Sequence, residues 1–223
     1  LVDVDLLDRA AQLLQAQVEF RLGGIEKAQV GADLAQIHLL DDRPEKAEEV
    51  LNQSARAGLP DDIVDRRRHL MARTLADTGR VKEAMDLLEG DENVNAELLR
   101  VEFFWNDKNW PKAAQSLRRL VQAMELSSEA ALDDRGGKLI LNLAIALTLS
   151  GNERSVDRLR KDFGEAMDST SLRDAFRLIA SPQTQGLLDY RTIANKIADV
   201  EQFREFVATY RQGLPGDTPT NPN

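Results

Sequence analysis

Residues 72–88 read ARTLADTGRVKEAMDLL, and this stretch decides the fold. Ala72 lies inside a run whose apolar residues recur at threes and fours, the spacing of one helix face. Gly79 follows seven residues later, where a chain leaving a helix adopts a positive φ most cheaply. Ala84 follows twelve residues after Ala72, and Leu88 four after that. The spacing predicts a helix, a tight turn and a second helix that crosses the first where both side chains are small. Helices approach closely only where such side chains leave room.

The same pattern recurs on both sides. Ala35, Asp42, Ala47 and Leu51 fit it, as do Val101, Lys108, Ala113 and Leu117. Ala144, Gly151, Val156 and Arg160 fit it more loosely. Breakers divide the chain into predicted helices over about 3–22, 25–41, 44–57, 62–78, 80–89, 94–106, 110–125, 138–150 and 153–166. Shorter ones are expected at about 171–180, 187–199 and 201–211. Pro44 and Pro111 suit first helical turns, where a missing N–H costs nothing. Gly23-Gly24 and Gly136-Gly137 are read as bare turns, and Ser127 to Gly137 as the widest interruption. Strand signals are weak, and no Asn-Gly or Asp-Gly hairpin turn occurs.

These residues resemble the tetratricopeptide repeat (TPR) family, in which each repeat of about 34 residues is a helix–turn–helix. The matching parts are the small mid-helix residue, the turn glycines Gly79 and Gly151, the alanines at 47, 84 and 113, and Trp110. Anchor intervals are uneven: Ala47 to Ala84 is 37, Ala84 to Ala113 is 29 and Ala113 to Val156 is 43. The resemblance implies an all-α fold, a right-handed solenoid of antiparallel helix pairs. It assigns residues 1–24 to an extra N-terminal helix and 25–167 to repeats (about 25–58, 62–90, 94–126 and 137–167). Residues 168–212 form C-terminal capping helices, with Phe203 where an alanine is expected, and 213–223 a flexible tail.

Composition sets limits on function. The 223 residues carry 38 Asp+Glu against 29 Lys+Arg, a formal net charge of −9. That balance disfavours nucleic-acid binding and adsorption to anionic membranes. A chain of this length buries roughly 70% of its unfolded surface, so it needs no staple. With no cysteine and two histidines, disulfides, thiolate zinc sites and cysteine nucleophiles are excluded. No stretch approaches the roughly 20 apolar residues of a membrane-spanning helix. No metal or cofactor is expected. The first residue is Leu, and the chain is read as part of something longer. Compartment is open, a soluble cytoplasmic location being favoured, with any targeting signal lying outside this stretch.

Chemistry-bearing motifs are few. Acidic pairs such as Asp41-Asp42, Glu48-Glu49, Asp61-Asp62 and Asp133-Asp134 diverge on a helix or loop, whereas acid–base catalysis needs convergent carboxylates. There is no Gly-x-Ser-x-Gly, P-loop or Gly-x-Gly-x-x-Gly. No catalytic residue is therefore assigned, and no enzyme activity is expected. His38, amid Ile37, Leu39 and Leu40, reads as a packed polar residue. Asp65-Arg66-Arg67-Arg68-His69 is a local basic cluster, either a solvated face paired with Asp61, Asp62 and Asp65 or part of a groove for an acidic peptide. In Phe103-Phe104-Trp105 with Trp110, Phe104 and Trp110 are assigned to the core; Trp105 is divided between core and groove.

In the TPR family the first helix of each pair lines a concave surface. Transferred here, that surface holds Gln29, Ala32 and Gln36; Arg66, His69, Arg73 and Asp77; Asn95, Leu98, Glu102 and Trp105; and Lys138, Leu141 and Ile145. The expected contacts with a protein or peptide partner are Gln36, Arg66, His69, Arg73, Asn95, Glu102 and Trp105. Ala32 and Gln36 stand where chaperone-tail binders carry clamp residues, so that clamp is missing. The expected function is a non-catalytic interaction scaffold. The alternative is self-assembly, as a homo-oligomer through the apolar stripe Leu6, Leu13, Leu14 and Phe20 of the N-terminal helix.

Overall fold

A computed structural model describes residues 2–180, with side chains from residue 7 onward, together with residues 203, 206 and 207. Among these residues there are ten helices and no strand. They are α1 (Val2–Phe20), α2 (Gly24–Leu40), α3 (Pro44–Gln53), α4 (Asp61–Asp77), α5 (Val81–Leu87), α6 (Val94–Asn106), α7 (Trp110–Ala123), α8 (Asp134–Leu149), α9 (Glu153–Asp168) and α10 (Arg173–Ile179). Phe203, Phe206 and Val207 are also helical. The helix expected over 187–199, the rest of that over 201–211 and the tail 213–223 lie outside the described residues. The all-α expectation holds.

The four turns of the sequence pattern share one geometry. Three residues separate α2 from α3, α4 from α5, α6 from α7 and α8 from α9. Asp42, Gly79, Lys108 and Gly151 have φ of 54°, 82°, 54° and 71°. In each case the next residue's N–H reaches back five positions to a helix carbonyl. Arg43 bonds His38 O, Arg80 bonds Leu75 O, Asn109 bonds Phe104 O and Asn152 bonds Leu147 O. This closes the orphan carbonyls of the helix end. The first helix then packs on the second. Ala35, Ala47, Ala72, Ala84, Val101, Ala113 and Ala144 are fully buried, as small residues at a crossing must be.

The described chain forms two compact units, one up to Asp91 and the other from Glu92. The boundary falls between the second and third expected repeats. In the first unit α2 packs on α3, α4 on α5, and α2 also on α4. The tightest approach is at Gly31. A methyl group there would lie 2.1 Å from Ser54 Oγ and 2.5 Å from Ser54 Cβ. Ser54 donates to Val50 O at 2.7 Å. Arg67, from α4, enters the same junction and donates to Ala28 O at 2.7 Å, Ser54 Oγ at 3.0 Å and Leu51 O. One guanidinium thus joins α2, α3 and α4, and α3 stops at Gln53 rather than near residue 57. On its other side α2 receives α1, where Val18 and Leu34 share a buried cluster with Val50.

In the second unit α6 packs on α7, α7 on α8, and α10 on both α8 and α9. One apolar cluster runs from Leu98, Val101 and Trp105 through Leu117, Leu141 and Ile145 to Phe163, Phe176, Phe203, Phe206 and Val207. The reading of Gly136-Gly137 as a bare turn is corrected. Both glycines lie inside the first turn of α8 and are buried. Asp133 caps that helix, its Oδ1 accepting from Gly136 N at 2.7 Å. A methyl at Gly137 would meet Thr170 Cγ2 at 3.2 Å. The pair is there for close approach, so α8 begins at Asp134 rather than near 138.

Two of the four turns place a side-chain-bearing residue in the left-handed region, which costs roughly 1–2 kcal/mol relative to glycine. Asp42→Gly and Lys108→Gly are each expected to raise the melting temperature by about 2–4 °C. Gly79→Ala is expected to lower it. Thermal unfolding followed by circular dichroism checks all three, and a fall on either glycine substitution contradicts the shared turn geometry.

Candidate functional site

The structure separates the expected contact residues by unit. In the first, Gln36 and Arg66 meet across α2 and α4, Arg66 Nη2 donating to Gln36 Oε1 at 2.8 Å. Arg66 Nη1 lies 2.7 Å from Asp33 Oδ1. Arg73 pairs with Asp77 at 3.5 Å along α4. All of these side chains are half-buried or exposed, so they form a mixed-charge, solvent-reachable strip over the two helices. Gln29, two turns before Gln36 on α2, is exposed at the same surface.

The rest of the basic cluster is taken up internally. Arg67 is committed to the three-helix junction, and burial pushes its guanidinium pKa down. Arg68 and His69 both reach Asp91: Nη2 of Arg68 lies 2.9 Å from Oδ2, and His69 Nε2 lies 2.8 Å from the same oxygen. His69 and the Asp91 carboxylate are almost wholly buried. His69 is therefore an internal tie between α4 and the segment after α5, and its expected place on an open groove is corrected. Of the expected partners, Asp65 does pair, with Arg68, while Asp33 and Asp91 take the places expected for Asp61 and Asp62.

In the second unit the correction is larger. Trp105 is fully buried and Glu102 nearly so; Asn95 is half-buried. The Trp105 ring stacks on Phe203, with centroids 4.0 Å apart and planes 8° apart. Trp110 meets it edge-on at 5.2 Å. Phe104, assigned to the core, is only half-buried and carries the Lys112 ammonium 5.4 Å above its ring, while Phe103 is buried. A further charge cluster was not legible in the sequence. Glu97, a buried residue, accepts from Arg100 Nη1 at 2.6 Å and from Arg119 Nη1 at 3.1 Å. The i,i+3 spacing of Glu97 and Arg100 was readable, but its burial depends on what packs around α6.

Both histidines are buried. His38 is buried, and its Nδ1 has no hydrogen-bond partner. Burial lowers its pKa below 6.5, and the nearby Lys46 and Arg43 cations lower it further, against Asp41 and Glu49. Among the described residues no group of three or more His, Asp or Glu side chains is gathered as a metal set. None of the described helices is long and apolar enough to cross a membrane.

No protein-family model, curated protein or solved structure matches the chain.

The His38 environment has a consequence for acid stability. The folded pKa lies below the unfolded value, so both states are neutral at high pH and folding is undisturbed there. As pH falls below about 6.5 the unfolded chain takes up a proton that the folded chain refuses, and stability declines. Between pH 7.5 and 5.5, thermal unfolding of the unaltered chain is expected to drop more than that of His38→Gln. Equal drops would show that His38 is not held neutral.

Proposed function

We propose that the chain is a non-catalytic interaction scaffold, built as a right-handed solenoid of TPR-like helix hairpins. It binds an extended peptide of a partner protein across the strip formed by α2 and α4. One observation carries the reading. The first helices of two successive hairpins pack side by side, and between them Gln29, Gln36, Arg66 and Arg73 present hydrogen-bonding groups that water reaches. Exposed donors and acceptors on a rigid helical base suit recognition of a peptide backbone and its polar side chains. Asp33 and Asp77 balance the two arginines, so the strip favours a peptide of mixed charge over a purely acidic one.

The hairpin reading rests on the four matched turns and the buried alanines at each crossing. Chemistry-bearing side chains near the strip are committed to holding helices together, as with Arg67 and the His69–Asp91 pair.

A second reading, self-assembly through α1, is favoured by a different observation. Leu13 and Phe20 are 68% and 81% exposed on one face of α1, with Ala16 exposed between them. Leu14 faces the other way, against the cluster of Val18 and Leu34. Two large apolar side chains so exposed on one stripe favour a contact with another surface. Leu6 has no described side chain.

The two readings separate in one experiment. Arg66→Gln with Arg73→Gln removes two charges and two part-exposed ion pairs, each worth on the order of 1 kcal/mol, so the fold is expected to survive. Partner capture from the protein's own source is expected to fall at least tenfold, while Leu13→Asp with Phe20→Asp leaves it unchanged. If capture survives the arginine changes and the α1 changes abolish a concentration-dependent rise in mass by light scattering, self-assembly replaces the peptide strip.

A further inference from the structure

The second unit holds the apolar part of the surface that the sequence assigns to partner binding, and that surface is already filled. Leu98 and Trp105 on α6, and Leu141 and Ile145 on α8, fall on the faces expected to be open, yet all four are buried. They share one apolar cluster with Phe203, Phe206 and Val207. These three residues fall at i, i+3 and i+4, the spacing of one helical stripe. Phe203 lies flat on the Trp105 ring, and Phe206 lies 5.6 Å from Phe203.

This is the arrangement of an amphipathic helix seated on an apolar bed, with aromatic anchors entering it. One detail distinguishes it from an ordinary core contact. Trp105 is completely buried, and its Nε1–H has no hydrogen-bond acceptor. A buried indole almost always finds an acceptor. The Phe203 contact supplies the apolar surface that the bed requires and leaves its one directional group unanswered.

We propose that the segment carrying Phe203, Phe206 and Val207 is an exchangeable cis ligand of the α6–α8 surface. The external partner of that surface is an amphipathic helix that presents two aromatic anchors three residues apart and a polar acceptor for Trp105 Nε1. This second surface is distinct from the strip on α2 and α4, and the proposal does not rest on that strip.

The test uses the full chain and a fluorescein-labelled peptide of residues 199–212. Phe203→Ala with Phe206→Ala is expected to empty the bed and shift tryptophan emission to the red. The variant is expected to bind the peptide at least tenfold more tightly than the unaltered chain does, while a peptide with its own Phe203 replaced by alanine does not bind. A variant with unchanged helix content and no peptide binding overturns the proposal. Should the variant lose its helix signal instead, native-state hydrogen exchange on the unaltered chain decides. Amides of residues 203–207 that exchange at least tenfold faster than those of Ile140–Leu147 support an exchangeable segment. Equal protection makes the segment an integral part of the core and overturns it.

Discussion

Close approach of backbones at small side chains is the constraint from which the rest of the structure follows. At the α2–α3 contact a single absent Cβ, that of Gly31, lets Ser54 come within a distance no methyl group would permit. Because the helices are that close, Ser54 Oγ and the carbonyls of Ala28 and Leu51 converge, and the one long cation of α4 that reaches them, Arg67, satisfies all three. A buried guanidinium without such acceptors would be strongly unfavourable. The packing of two helices thereby determines how the third is held, and with it the positions of Arg66 and Arg73, roughly 100–120° around α4 from Arg67.

Much of this was legible in the sequence, for a local reason. Turn and crossing residues act within one hairpin, so their spacing carries their role. Asp42 and Lys108 are the informative cases, since neither is glycine and yet both adopt the positive φ that Gly79 and Gly151 adopt. Position in the pattern, rather than residue type, identified them. The Gly136-Gly137 pair misled because glycine marks both turns and close contacts, and the deciding neighbour, Thr170, lies more than thirty residues away.

The candidate surface was less legible, because exposure depends on distant segments. Gln36 and Arg66, assigned to one surface by helix phase, meet across α2 and α4, whereas Ala32, assigned to that surface with Gln36, is fully buried. His69 was drawn inward by Asp91, 22 positions on. Trp105 was covered by Phe203, almost a hundred positions on. Periodicity shows which residues share a helix face; it does not tell what covers that face. The same limit explains why helix phase left Trp105 divided between core and groove, where the structure buries it, and why Phe104 packs against the core only in part.

The functional reading depends on helices held rigidly enough to present a fixed surface, and so on the small-residue crossing itself. A double-mutant cycle at Gly31 and Ser54 tests this most directly. Gly31→Ala alone is expected to destabilise the chain by roughly 1–3 kcal/mol through overpacking. With Ser54→Gly already present, the same change is expected to cost much less, giving a coupling of about 1 kcal/mol or more in denaturant unfolding. Strictly additive effects would mean that the helices are not held by this approach, and the account of the fold would fail with it.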